Sequence, residues 1–179
     1  MNRQAYIADC ASQFRKLKDM ADRAVAQTDD DSFFVSLDPG GNSIATIMKH
    51  LAGNLKSRWT DFLNADGEKP DRNRDTEFET TEADTRNGIL ATWEVHWALA
   101  INTIAALTTE DLDRTVTIRG EPHSVPQVIN RQLTHTAGHV GQIVLLARHY
   151  AGHHWQTLSI PRGRSKEFNE MMKKKGILR

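Results

Sequence analysis

Cysteine is almost missing from this chain. Cys10 is the only one in 179 residues, which excludes an intrachain disulfide and a cysteine-rich zinc site. An excess of charge of either sign is missing too, because 23 Lys and Arg balance 23 Asp and Glu. Neither a basic nucleic-acid footprint nor a polybasic membrane surface is therefore indicated. No apolar run approaches membrane-spanning length, and Met1 to Asp9 lacks the apolar stretch of a signal peptide. A cytoplasmic protein with no nucleic-acid and no membrane partner is the expectation. The chain also has no phosphate loop, no nucleophile elbow, no internal repeat and no low-complexity tract.

What is present supports burial. Apolar residues make up 39% of the chain, which argues against global disorder. The length suits one compact domain, residues 1–179, with a core that needs no staples. Apolar residues at Tyr6, Ile7, Cys10, Phe14, Leu17, Ala21 and Val25 keep the 3.6 period and predict a first helix over Arg3 to Gln27. Cys10 falls on that stripe and reads as a small buried hydrophobe. Thr28 to Gly41 reads as a linker anchored by Phe33 and Phe34. Asn42 and Ser43 cap a second helix running to about Asn64.

A turn follows at Asp66 to Pro70. Asp71 to Glu79 is dense in both charge signs and reads as a solvated surface loop. Thr80 or Thr81 is the expected cap of a third helix, about Glu82 to Leu107, with Trp93 and Trp97 in its buried stripe. Thr115 to Ser124 has the β-branched run and the turn of a short hairpin. Ser124 and Gln127 form a capping box for a fourth helix, with Pro126 in its first turn, ending near Ala151. Ser165 is the expected cap of a short last helix.

Two local patterns carry chemistry. On the fourth helix, His135 and His139 stand four apart, so their imidazoles share one face and can bind one metal ion. Gly138 and Gly141 leave backbone space nearby, and Gln132 and Gln142 flank the pair. On the second helix, His50, Asn54, Ser57 or Arg58, and Asp61 form a polar line beside the apolar one. The plain reading of that line is an ordinary solvated face. A further pair, His149 and His153, is interrupted by Gly152, which ends the helix between them. His149 also points about 280° round from His139, so His149, His153 and His154 are not expected to be ligands.

Four long helices with a long crossover connection and a short C-terminal helix describe an all-α four-helix bundle, a setting for metal sites on facing helices. The chain resembles the DinB-like superfamily, and an uncharacterised DinB-like family within it. The resemblance runs over almost the whole chain. It rests on Asn42 to Ala45, His50 to Leu55, Ser57 to Leu63, Asp66 to Lys69, Arg72 to Phe78, His139 to Ile143 and Ser159 to Gly163. It implies a divalent metal held by His50, His135 and His139. The superfamily also holds bacillithiol transferases and mycothiol-dependent maleylpyruvate isomerase, so it further implies a small-molecule thiol acting on an electrophile. A homodimer through helix faces is implied as well, helped by the four tryptophans and long amphipathic helices.

Three protein ligands with an open position make a catalytic rather than a closed structural site. Asn54 and Gln142 are candidates to orient imidazoles or bound water. Arg58 is a candidate to receive a carboxylate of substrate or cofactor, its plainer role being an ion pair with Asp61 or the acidic loop. The expected activity is metal-dependent thiol S-transfer or thiol-assisted isomerisation. The alternatives are a non-catalytic metal-binding or stress-response protein and a metal-dependent hydrolase. Thr136 stands where zincin proteases place a glutamate, which counts against that peptidase chemistry. Imidazole ligands suit zinc, nickel, iron and manganese alike.

Overall fold

The computed structural model describes residues 2–177. Its elements run α1 (Arg3–Val25), α2 (Asp30–Phe34), α3 (Ile44–Trp59), α4 (Arg86–Ala105), β1 (Thr115–Ile118), β2 (Glu121–Ser124), α5 (Val125–Ala151) and α6 (Ser165–Lys174). The four long helices form an all-α bundle. α1 and α3 each pack between α4 and α5. One cluster of buried apolar side chains fills the bundle, with Phe14, Trp59, Trp93 and Trp97 among its largest members.

Side-chain caps set most helix starts. Asn2, Ser43, Thr85 and Ser124 each accept a backbone N–H of the first turn, and Ser124 with Gln127 closes the capping box. Gly152, at φ 54°, ends α5 ahead of His153. Several expected boundaries move. α3 stops at Trp59 rather than Asn64, because Asp61 takes a left-handed φ of 47° that no helix continues through. α4 starts at Arg86 under Thr85, because Thr81 is instead held by its own turn to Asp84. Arg164 occupies the cap position of α6, with Ser165 inside the helix.

The linker after α1 contains α2, which Asp29 caps through the Ser32 N–H. Arg86 ties the linker down. It donates to the carbonyls of Val25 and Thr28 and lies over the Phe33 ring. The hairpin pairs Thr115 with Ser124 and Ile118 with Glu121. Its turn places Arg119 and Gly120 at positive φ, as a tight two-residue connection requires. No helix of the described residues is long and apolar enough to cross a membrane.

Candidate metal centre

α3 and α5 are neighbours, so the polar line of α3 faces inward rather than to solvent. His50, Asn54, Ser57 and Arg58 are all buried, whereas Asp61, beyond the helix end, is exposed. α5 covers that line from one side and the turn Asp75–Phe78 from another. The solvated-face reading of this line is corrected by that cover.

His50, His135 and His139 come together with ligand atoms within 4.8 Å of one another, and they could hold a metal ion. His50 Nε2 and His135 Nε2 stand 3.3 Å apart. Two nitrogens on one tetrahedral ion at about 2.0–2.1 Å stand about 3.3–3.4 Å apart, so the spacing fits a shared ion. The other nitrogens of two rings are occupied: His50 Nδ1 pairs with Glu77 Oε2 at 2.9 Å, and His139 Nδ1 with Gln142 Oε1 at 2.8 Å. Such partners fix the tautomer and leave Nε2 as the donor to a metal. His135 Nδ1 is buried without a partner. Burial above all, then the charges of His139, His50, Arg58 and Arg72, pushes the His135 pKa down to about 4. Burial also lowers that of His139. Both rings are thus neutral near pH 7, the state a ligand needs.

Glu77 and its segment are what the sequence reading missed. Asp71 to Glu79 reads as solvated charge, yet Glu77 is buried against His50. Arg72 grips its carboxylate with Nε and Nη2, each at 2.8 Å. Burial works to raise the Glu77 pKa, and the bonds from Arg72 and His50 outweigh it, so the carboxyl sits below its ordinary value. Phe78 stacks on the His50 ring at 4.5 Å. Gly53, one turn after His50, makes the space: a Cβ there would stand 2.2 Å from Glu77 Oε1. The one signal in the sequence was the strip Arg72 to Phe78, among those that carry the family resemblance.

The histidines open onto a cavity of about 500 Å³ lined by α3, α5, the loop 68–78 and the hairpin turn. Five arginines line it: Arg58, Arg72, Arg74, Arg119 and Arg131. Arg58 makes neither of its expected ion pairs among the described residues, and its Nη1 is buried without a partner. Gly67 lets it in, since a Cβ there would lie 2.6 Å from Nη1. Burial first, then Arg131, lowers the Arg58 pKa to about 10, so it stays charged at pH 7.

Other expected residues fall as follows. Asn54 lines the cavity but accepts from Gln132 Nε2 at 2.9 Å rather than from an imidazole. Gly138 and Gly141 are exposed and lie outside the cavity lining. Ser159 to Gly163, one of the strips that carry the resemblance, does not line it either. Just ahead of that strip, Gln156 is tied to Gln27 of α1. His149, His153 and His154 are exposed and apart from the cluster.

The family described as "Protein of unknown function (DUF1572)" matches residues 2–164, and the chain belongs to it. No curated protein matches the chain.

Proposed function

We propose that this DUF1572 member is a metal-dependent enzyme whose three-histidine centre works on a low-molecular-weight thiol, as an S-transferase or thiol-assisted isomerase. The observation that carries the reading is the convergence of His50, His135 and His139 on the wall of an open cavity. The resemblance to the DinB-like superfamily supplies the thiol. A divalent ion held by His50, His135 and His139 would supply the positive charge that favours a thiolate over a thiol.

The chain's own residues hold and orient. Glu77 fixes His50 and Gln142 fixes His139. Cys10 is buried in α1, so the reacting sulfur comes from outside. In S-transfer that sulfur gives up its proton to solvent and forms a bond to the electrophilic carbon. The leaving group departs with its electron pair.

A hydrolase of the zincin type uses a glutamate as general base. Glu68 is the one carboxylate in the lining, and Arg72 and Arg119 hold it. That favours the thiol reading over hydrolysis of that type. We further infer a homodimer joined at the outer face of α4.

Two measurements test the site. Elemental analysis of the purified protein is expected to find one divalent metal, zinc, nickel, iron or manganese, and none in the triple His50→Ala, His135→Ala, His139→Ala variant. Calorimetric titration of the metal-loaded protein with bacillithiol, mycothiol, glutathione and cysteine is expected to find a ligand whose binding vanishes in His135→Ala. Failure of all four, with no thiol-dependent loss of monochlorobimane, leaves the non-catalytic metal-binding reading in its place.

A further inference from the structure

We propose that the cavity beside the histidines is an anion receptor for a small molecule bearing two acidic groups, carboxylates or phosphates, with Arg58 as its inner contact. This deepens the enzyme reading by naming the substrate class, and it stands on arginines rather than on the metal.

The charge balance of the lining is the first argument. Glu68 and Glu77 answer Arg72 and Arg119. Arg58, Arg74 and Arg131 have no carboxylate partner among the described residues. The chain as a whole is neutral, so the concentration of unanswered guanidinium groups around one cavity is local. Like charges gathered in partly desolvated space repel, and a bound anion relieves that repulsion.

Arg58 is the second argument, because it is buried as well as unanswered. It is only 7% exposed, it lines the cavity, and no hydrogen bond or ion pair holds its guanidinium among the described residues. A buried guanidinium with its donors unused is costly unless a ligand takes them, and its planar fork matches a carboxylate or phosphate. Gly67 keeps the space that lets this side chain lie where it does.

Placement gives the ligand its direction. Arg58 lies two turns beyond His50, about 12 Å along the axis of α3, and Arg131 lies one turn before His135 on α5. Arg74 sits elsewhere, over the Phe78 ring at 4.9 Å, and Phe78 stacks on His50. One acidic group thus meets Arg58 and Arg131. The second meets Arg74, beside the histidines where reaction takes place. The cavity's size suits a metabolite rather than a polymer.

The test is calorimetric titration of the full chain, metal-loaded and EDTA-treated, with succinate, citrate and pyrophosphate, and with acetate and inorganic phosphate as smaller controls. The diacids are expected to bind more tightly than the controls in both forms, and the carboxylate and pyrophosphate arms tell which acid the site prefers. Arg58→Gln is expected to weaken diacid binding at least about thirtyfold. Arg131→Gln and Arg74→Gln, on the exposed rim where folding is not at stake, are expected to weaken it about two- to fivefold and to flatten its salt dependence. The His135→Ala, His139→Ala double variant is expected to keep the diacid. Absence of diacid binding, binding indifferent to all three arginine variants, or tighter binding of a single-stranded oligonucleotide overturns the proposal. If binding disappears with the histidines and ignores the arginines, the anion is a metal ligand: the proposal falls and the metal centre stands. If a protein that takes up no metal still binds the diacid through its arginines, the anion receptor stands and the metal centre falls.

Discussion

At the scale of single residues, the candidate centre leans on Glu77, a carboxylate outside the cavity lining. Glu77 holds His50, and Arg72 holds Glu77 from the far side, so the ring cannot swing without breaking a buried hydrogen bond. Glu77→Gln keeps the shape and removes the charge. It is expected to lower metal affinity about ten- to a hundredfold while the helix content by circular dichroism is unchanged. Gly53→Ala reaches the same end by another route, since its Cβ would displace a carboxylate that Arg72 prevents from yielding. Native metal affinity in both variants would falsify the positioning role. The histidines also leave a mark on stability. Unfolded, His135 and His139 take up protons near pH 6.5, whereas folding holds His135 off until about 4 and shifts His139 the same way. The unfolded state therefore binds more protons in that interval, and stability falls as pH drops through it. Burial of His96 adds to the same slope. Carboxylates with lowered values, such as Glu77 and Asp84, act in the same direction but only below about 4.5. Metal-free protein is expected to melt lower at pH 5.5 than at 7.5, with a smaller loss in His135→Asn. Equal melting temperatures at the two pH values would count against this account.

At the scale of elements, the wall of the cavity is a loop held by side chains rather than a helix. Asp66 accepts from the N–H groups of Glu68, Arg119 and Gly120, at 2.7, 2.8 and 2.9 Å, and so clips the loop to the hairpin turn. Those bonds hold the Asp66 pKa far below the usual carboxylate range. Ser57 adds a second clip, donating to the Gly67 carbonyl and accepting from Lys69 N–H. Asp66→Ala is expected to cost about 1–3 kcal/mol, read as a lower denaturation midpoint, and to loosen Gly67 against Arg58. An unchanged midpoint would show the clip to be idle. This segment also marks where the sequence stopped being legible. The long helices could be read because burial repeats along them every 3.6 residues, and the pair His135 and His139 because a helix sets its geometry locally. The end of α3 could not, because Phe62 and Leu63 continue the apolar pattern past the break at Asp61. Nor could Glu77, Arg72, Arg119 and Arg131 be read as one site. They come from three separate segments, and a charge shows as buried only once its partner's place is known.

At the scale of the whole molecule, α4 is the element that the fold leaves incompletely used. Its inner face carries Trp93, Trp97, Ala100 and Ile104 into the core. Its outer face exposes Ala91, Val95, Ala98 and Ala105, with Asn102 between the last two, and Val95 is 64% exposed. A helix with apolar residues on both sides suits a place between two layers, and the bundle covers one side only. A second copy supplies the other if the two α4 helices meet about a two-fold axis, where small alanine side chains let the helices come close. The symmetry gives the test its sharpness, because one substitution enters the contact twice. Val95→Glu would set two like charges across the axis. Sedimentation at micromolar concentration is expected to show a dimer for the native chain and a monomer for Val95→Glu. Metal content and melting of the monomeric fold should change little, since this position lies away from both core and cavity. Leu145→Glu on α5, a residue 63% exposed, serves as the control and is expected to remain dimeric. A native chain that sediments as a monomer sinks the dimer outright. Dissociation by Leu145→Glu but not by Val95→Glu moves the contact to α5, where it would lie on the helix that carries His135 and His139.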